Sequence, residues 1–356
     1  MTGVNVEKIA AALKNSTGKS LMLADGFVDE VWEIISSRSS DKDYVIYNQM
    51  AQFAQRIYNS NTGGVGLEII RKRRAYGGFV GNTSYALAKL SVDTTMVGVF
   101  GEGSLDPAFD ELGKLCRVFS LGAPGVTLIF EFEDGKLMMS HIEAMQDINW
   151  QCIVDSLGRE NTLSLLSQSD IIGVGYWSLL PAFDEIVAQI CTHLPQDGKA
   201  RRFFFDFADF RKKDEASLRD TLQKLKTLNG KTPMTLSVNE HEWAALSAMY
   251  NKMLDDESSP IQEKVEYIRQ QIGLDEFVVH TPHYAVAASS REKPAFAESV
   301  FCEKPLRTAG AGDTFNGGYM AAALAGLNIA ERLHVANAAV GYFLRNAAPP
   351  SIDNLF

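Results

Sequence analysis

The sequence predicts an α/β fold in which helices cover a mainly parallel sheet, with a small β-rich lid. Two observations carry this prediction. Apolar strand patterns alternate with helical patterns through the second half of the chain, and glycine-rich segments precede helical patterns at two places. The 356 residues contain no internal repeat or long linker. We therefore expect a single domain over residues 1–356, with lid segments inserted at approximately 30–76 and 124–145.

Composition excludes several classes of protein. Hydrophobic residues make up 46% and charged residues 22% of the chain, which is typical of a globular protein. The net charge of −10 argues against nucleic acids and anionic membranes as partners. The four cysteines form no CxxC pair, so neither a zinc site nor a disulfide framework is predicted. No apolar run could span a bilayer and no signal-peptide pattern is present, so a cytoplasmic protein is expected.

The first strand pattern ends in acidic residues. A helical pattern over Val4 to Leu13 precedes an apolar strand pattern over Ser20 to Ala24. Ligands of open α/β sheets bind at the carboxyl ends of strands, so an acid placed there can contact a polar substrate. Asp25 precedes a glycine and is interpreted as a turn residue, whereas Asp29 lies beyond the turn and is a candidate substrate ligand.

A second glycine-rich segment follows an irregular stretch. Residues 32–75 show no clear period apart from a helical pattern over Tyr44 to Tyr58. Gly77 and Gly78 then allow a ligand to approach the backbone closely, and the Asn82 amide can both donate to and accept from a hydroxyl. A tight turn with an asparagine cap, followed by a helix from Thr83, is the structural alternative.

The remaining strand patterns indicate a lid hairpin and then parallel βα units. The hairpin is predicted from Val126 to His141, with its turn at Glu133 to Lys136. The later strands are predicted at Asp170 to Gly175, Arg202 to Asp206, Met234 to Val238 and Glu276 to His280. At the end of the second of these, Asp206 and Arg211 are interpreted as an ion pair, with substrate contact as the alternative.

An asparagine and a glutamate open the helix after the third of these strands. Asn239 and Glu242 are three residues apart and share a helical face, where they could hold a hydrated Mg²⁺. Magnesium retains several waters and needs only one or two carboxylates besides substrate phosphates. A capped helix N-terminus with favourable acidic residues is the equally open alternative.

The segment Gly310-Ala311-Gly312-Asp313 is the strongest candidate catalytic motif. Small residues let the backbone approach a ligand, and the first N–H groups of the helix that starts near Asp313 have no intrahelical partner. Such a terminus attracts phosphate. A carboxylate beside it suggests a base that takes a proton from a nucleophilic hydroxyl. The alternative is an ordinary helix cap.

These motifs, in this order, resemble those of the ribokinase, or PfkB, family of carbohydrate kinases. The resemblance extends from about Leu21 to Pro350 and is most specific at Gly310 to Gly318. It implies a ribokinase-like three-layer α/β/α sandwich with a lid. It also implies phosphoryl transfer, usually from ATP and with Mg²⁺, to a hydroxyl of a sugar or nucleoside. The lid could pair two subunits in a homodimer.

The resemblance assigns roles to the candidate residues. Asp313 would be the base, and the backbone of Gly310, Ala311 and Gly312 would stabilise the transferring phosphoryl group. The acceptor would be bound by four residues, namely Asp29, Gly77, Gly78 and Asn82. The nucleotide and its Mg²⁺ would be held by Asn239, Glu242, Thr281 and Asn337, with Glu242 contacting the metal through water.

Two departures from the family pattern are evident. Arg307 stands where many members have an aspartate that helps to bind a monovalent cation, which argues against such an ion here. Its guanidinium could occupy the cation's place or pair with phosphate. The usual glycine-containing nucleotide loop is replaced by His280 to His283. These departures leave an inactive sugar- or nucleotide-binding regulator as an alternative. The long separation between Asp29 and Gly77 is closer to the adenosine kinase branch, so an adenosine-like nucleoside kinase is the nearest alternative within the family.

Overall fold

A computed structural model describes residues 5–60, 63–250 and 259–356 of the chain. Its fourteen strands, numbered along these described residues, are β1 Lys19–Leu23, β2 Phe27–Arg38, β3 Tyr44–Ile46, β4 Glu68–Gly77, β5 Asp93–Gly98, β6 Arg117–Ser120, β7 Gly125–Phe132, β8 Gly135–His141, β9 Ile171–Val174, β10 Arg202–Asp206, β11 Met234–Asn239, β12 Glu276–His280, β13 Tyr284–Ser289 and β14 Ala295–Glu298. Nine of them form a central sheet in the order β14-β13-β12-β11-β10-β9-β1-β5-β6. Strands β1, β5, β6 and β9 to β12 are parallel, and β13 and β14 are antiparallel.

Helices cover both faces of the central sheet, as the fold class requires. Within the described residues they are α1 Val6–Asn15, α2 Met50–Tyr58, α3 Gly78–Lys89, α4 Asp110–Leu115, α5 Glu143–Gln146, α6 Trp150–Leu157, α7 Arg159–Gln168, α8 Phe183–His193, α9 Glu215–Asn229, α10 Glu240–Met249, α11 Ile261–Ile272, α12 Ala311–Leu324 and α13 Ile329–Asn346. No helix in the described part of the chain is long and apolar enough to cross a membrane.

The buried strands explain the three layers. Successive side chains of a strand point to opposite faces. In β10, Phe203 and Phe205 belong to the core beneath α8 and α9, whereas Phe204 belongs to the core shared with α3, α12 and α13. Each phenylalanine is almost fully buried. An unbroken apolar run is therefore what a strand covered on both faces needs.

The close packing of α12 positions the candidate site. A Cβ at Gly317 would lie 2.6 Å from the Ala86 side chain of α3, and a Cβ at Gly318 would lie 2.9 Å from Ala336 of α13. Only glycine permits both approaches. Helix α12 can therefore lie directly between α3 and α13, with its N-terminus beside the N-terminal turn of α3.

Strands β2, β3, β4, β7 and β8 form a separate five-stranded sheet, which we call the lid sheet. The β7–β8 hairpin confirms the predicted hairpin, with Phe132 opposite Gly135 at its end. Helix α2 adds Phe53 to a small apolar cluster with Ile34 and Phe130. Homodimerisation through the lid sheet, and the lid boundaries at 30–76 and 124–145, stay predictions.

Three local predictions were wrong. Residues 44–46 form strand β3, paired with β2, so the helix of the 44–58 segment starts only at Met50. The stretch interpreted as irregular contains most of β2 and β4. Gly78 to Asn82 form the first turns of α3 rather than a loop. The first predicted helix is confirmed from Val6, and Val4 lies outside the described residues.

Candidate active site

Helix α12 begins at a glycine with a left-handed backbone. Gly310 is its N-cap with φ of 87°, a conformation that other residues seldom adopt. A Cβ there would lie 2.9 Å from the Asn82 side-chain oxygen. The Gly310 carbonyl accepts hydrogen bonds from the Thr314 N–H (2.9 Å) and hydroxyl (2.8 Å). These bonds order the first turn of α12, and the close approach of Gly310 to Asn82 places that turn against α3.

Asp313 lies in this first turn and is only 7% exposed. Its two oxygens accept hydrogen bonds from the Asn82 amide at 2.9 Å and from the Tyr176 hydroxyl at 3.2 Å. Burial, followed by the charge of Asp206, raises its pKa to about 8. Both hydrogen bonds favour the carboxylate and oppose that shift. The side chain does not cap its own helix, so the cap alternative is not what this structure contains.

Asp29 and Asp313 face one cavity of about 200 Å³ beneath the lid sheet. The predicted residues Gly78, Asn82 and Gly310 line it as well. Gly77 lies directly behind Asp29, because a Cβ at this position would be 2.3 Å from the carboxylate. The structure therefore brings the predicted base and all four predicted acceptor ligands together.

The Asp29 carboxylate is buried, being 7% exposed. Burial raises its pKa to about 6 despite the opposing charges of Arg307, Arg73 and Lys136. Among the described residues, none donates a hydrogen bond to its side chain. A buried carboxylate that faces a cavity without a protein donor is suited to bind hydroxyl groups of a ligand.

Asp25 has a structural role different from the predicted turn. Its two oxygens accept hydrogen bonds from the Phe79 and Val80 N–H groups, both at 2.8 Å. These are donors of the first turn of α3, which have no intrahelical partner. The carboxyl group thereby anchors the helix that carries Asn82. Burial raises the Asp25 pKa well above its usual value.

A second cavity, of about 410 Å³, lies on the other side of the α12 N-terminus. Ala311 and Gly312 line it, whereas Gly310 and Asp313 line the first cavity. The segment thus separates two cavities and is accessible from both. A group that moves from one cavity to the other would pass the N–H groups of this helix terminus.

The second cavity contains three of the four predicted nucleotide residues. Asn239, Thr281 and Asn337 line it, whereas Glu242 is buried and does not line it. The Asn337 amide donates to the Glu298 carbonyl at 3.0 Å, and the Thr281 hydroxyl donates to the Tyr284 carbonyl at 3.0 Å. These bonds order the cavity wall at both positions.

Not every backbone N–H of the predicted anion site points outward. The Ala311 N–H donates to the Thr308 carbonyl at 3.1 Å. The Gly312 and Asp313 N–H groups lie in the first helical turn, where no intrahelical carbonyl is available. A phosphoryl group would therefore meet those two donors first.

Asn239 and Glu242 form a capping box, which was the structural alternative. The Asn239 side chain accepts the Glu242 N–H at 3.1 Å, and Glu242 Oε2 accepts the Asn239 N–H at 2.9 Å. Glu242 Oε1 is buried and has no partner in the described residues. Burial, reinforced by Asp206, raises the Glu242 pKa well above its usual value. One orphaned carboxylate oxygen fits a hydrated Mg²⁺, which needs few protein ligands.

Arg307 is buried beside the first cavity, 7% exposed. One guanidinium nitrogen is 3.5 Å from the Asn82 side-chain oxygen, and the group lies over the rings of Tyr76 and Phe343 at 6.0 and 5.3 Å. Its Nε has no partner in the described part of the chain. The guanidinium is therefore on the acceptor side of α12, near Asp29.

Sequence reasoning missed Tyr176 and misassigned Asp206. Tyr176 follows strand β9, so the rule that ligands bind at carboxyl ends of strands could have found it. Asp206 accepts the Asn316 amide at 2.9 Å and the Ala208 N–H at 2.8 Å. The predicted Asp206–Arg211 pair was wrong, because Arg211 binds Asp209 at 2.8 Å. Asp206 instead raises the pKa of Asp313.

Comparisons with known proteins identify the family and the fold. The family model for prokaryotic ketohexokinase matches residues 4–356. A ketohexokinase of Haloferax volcanii is 27% identical over 342 residues, which are 95% of this chain and 90% of that protein. A ribokinase of Arabidopsis thaliana, solved with ribose and ATP, superposes with a TM-score of 0.65 at 16% identity, covering 95% of this chain and 97% of that chain. Phosphofructokinase-2 of Escherichia coli gives 0.64 at 15%, with the same coverage of each chain.

Proposed function

The chain belongs to the prokaryotic ketohexokinase family and is a carbohydrate kinase, and we propose that it transfers the γ-phosphoryl group of ATP to a sugar hydroxyl bound beside Asp313. The observation that carries the proposal is the α12 N-terminus between two cavities. The cavity with Asp29 and Asn82 would hold the sugar, and the cavity with Thr281 and Asn337 would hold the nucleotide.

The reaction follows from this arrangement. Asp313 takes the proton of the sugar hydroxyl, and the oxygen of this hydroxyl attacks the γ-phosphorus. The new oxygen–phosphorus bond forms as the bond to the β-phosphate oxygen breaks, and ADP leaves. The Gly312 and Asp313 N–H groups, with the helix dipole, stabilise negative charge on the transferring group. Tyr176 and Asn82 hold the Asp313 carboxyl group in position.

Magnesium would be held near Glu242 through water, with the nucleotide phosphates completing its ligands. When bound, Mg²⁺ neutralises the charge of the triphosphate. Glu242 itself is fixed by the capping box with Asn239, and its buried Oε1 has no hydrogen-bond partner among the residues that the structure describes. Arg307 stands where many members of the family have an aspartate that helps to bind a monovalent cation, which supports the expectation that no such cation is used.

The test is a panel of neutral and charged ketoses, aldoses and nucleosides assayed with radiolabelled ATP and Mg²⁺. We expect a phosphorylated sugar, formed in equal amount with ADP. Preferential labelling of a nucleoside would favour the nucleoside kinase alternative. Ligand binding without any phosphorylated product or ATP hydrolysis would favour the inactive regulator.

The pH dependence provides a separate check on the base. Asp313 must be ionised to accept a proton, so kcat/KM should rise with pH and level off above an apparent pKa near 8. The measurement is kcat/KM from pH 6 to 9.5 at constant ionic strength. Because the charge of Asp206 raises the Asp313 pKa, Asp206→Asn should move the rising limb to lower pH. If the rising limb of the pH profile stayed at the same pH in Asp206→Asn, the assignment of Asp313 as the base would be contradicted.

A further inference from the structure

Four basic residues lie in or near the wall of the acceptor cavity. Lys136 and Lys212 line the cavity directly. Arg73 and Arg307 lie close enough to Asp29 for their charges to lower its pKa. The whole chain has a net charge of −10, so this concentration of cations is unlike the average surface.

Strand pairing shows that Arg73 is on the cavity side of the lid sheet. Arg73 is opposite Val31 in the antiparallel β2–β4 pair, and opposite residues share a face. Val31 packs with Ile129 and with Ala309, which lines the cavity beside Gly310. The Arg73 side chain therefore belongs to the face that looks toward the α12 N-terminus.

Arg73 and Arg307 are neighbours, and neither is held in a close ion pair among the described residues. Burial and then the charge of Arg307 lower the pKa of Arg73, against the opposing charges of Glu131 and Asp29. No ion pair joins either guanidinium to a carboxylate within residues 5–60, 63–250 and 259–356, and the buried Arg307 Nε has no hydrogen-bond partner there. Burying the Arg307 cation beside a second, half-buried cation is costly unless an anion binds them.

Other arginines of the same strand show the contrast. Arg71 binds Glu30 at 3.2 Å, and Arg74 binds Asp106 through two bonds of 2.7 and 2.8 Å. Lys136 and Lys212, like Arg73, have no ion pair in the described part of the chain. Among the arginines of β4, the one that faces the cavity is therefore the one without an ion pair in the described residues, and the charges of Arg73, Arg307 and Lys136 all act on Asp29.

We propose that the acceptor sugar carries an anionic group, a phosphate ester or a carboxylate, which Arg73 and Arg307 bind away from the reacting hydroxyl. This inference rests on the proposed function. Guanidinium groups bind such oxyanions through paired, charge-assisted hydrogen bonds. Lys136, on the exposed β8 strand, attracts the same group at the cavity entrance, while Asp29 and Asn82 hold the hydroxyl groups.

The first test compares D-fructose with two anionic acceptors, each of which differs from it at one terminal carbon, C6 in the phosphate ester and C1 in the carboxylate. D-fructose, D-fructose 6-phosphate and 2-keto-D-gluconate separate the neutral sugar, the phosphate ester and the carboxylate. We expect kcat/KM for at least one anionic acceptor to exceed that for D-fructose by about tenfold or more, as a charged hydrogen bond provides. Equal or lower values for both anionic acceptors would overturn the inference and leave the kinase function intact.

The second test uses matched variants of one strand. Arg73→Met should lower the ratio of anionic to neutral kcat/KM by about 10- to 100-fold. Arg71→Met removes the same charge from a residue paired with Glu30 and should leave this ratio unchanged. An equal loss for all acceptors in Arg73→Met would instead assign the guanidinium to the transferring phosphoryl group and overturn the inference.

A binding measurement covers the case in which no acceptor is phosphorylated. That result would overturn the proposed function. The anionic sugar should still raise the unfolding temperature more than the neutral sugar does, because it binds only the folded site. This difference should disappear in Arg73→Met and persist in Arg71→Met. Equal shifts by the neutral and anionic sugars would refute the anion site itself.

Discussion

Replacing Asp313 by asparagine is expected to lower kcat by a factor of about 10² to 10⁴, the usual contribution of a positioned base. Asparagine keeps the size of the side chain, and its amide oxygen can still accept from Asn82. It cannot take the proton of the sugar hydroxyl. Steady-state kinetics with the best acceptor would measure the loss, and circular dichroism would confirm that the variant is folded.

The matched control is Asp214→Asn. Asp214 also stands at a helix N-terminus, where it caps α9 by accepting the Ser217 N–H at 2.7 Å. Asparagine is an equally good cap, so activity and stability should stay near those of the parent protein. Parental turnover by Asp313→Asn would show that another group accepts the proton.

Replacing Asp29 by alanine is expected to lower kcat/KM for the sugar by a factor of about 10² to 10⁴. Two charged hydrogen bonds to hydroxyl groups, each contributing about 1.5–3 kcal/mol, would disappear. The effect should fall mainly on KM, because these hydroxyl groups are bound equally in the ground state and the transition state. Initial rates across a wide range of sugar concentration would measure it.

Glu30→Gln is the control for Asp29. Glu30 is the next residue of β2 and binds Arg71 at 3.2 Å and Arg74 at 3.3 Å, away from the cavity. An exposed pair of this kind contributes little, so acceptor kinetics should remain unchanged. If Asp29→Ala had the KM of the parent protein for every sugar that it phosphorylates, Asp29 would not be a ligand of the acceptor.

The candidate catalytic segment and the central sheet could be predicted from the sequence because both follow local rules. Apolar runs covered on both faces, such as Phe203 to Phe205, indicate parallel strands wherever they stand. Gly310 must lack a side chain for the α12 N-terminus to approach Asn82 closely, and the run of small residues from Gly310 to Gly312 is visible in the sequence. The order of the motifs then placed Asp29 and Asp313 at one site.

The structure of the regions that were predicted wrongly or missed depends on contacts with residues far away in the sequence. Gly77 and Gly78 suggested a turn, but Asp25 accepts two N–H groups and starts helix α3 there. Strand β4 carries a run of basic residues in which apolar and polar side chains do not alternate, because both faces of the lid sheet are partly solvated. Tyr176 has no local motif, and its contact with Asp313 exists only through the order of the strands.

The buried acids of the site also link folding and binding to proton exchange. Burial raises the pKa of five carboxyl groups, namely Asp25, Asp29, Asp206, Glu242 and Asp313. The folded chain therefore retains protons that the unfolded chain releases above about pH 4, so these groups reduce stability as pH rises from there toward 8. A divalent cation that enters the site should expel some of them. Calorimetric titration of the nucleotide with and without Mg²⁺ should then give a difference in heat that depends on the ionisation enthalpy of the buffer.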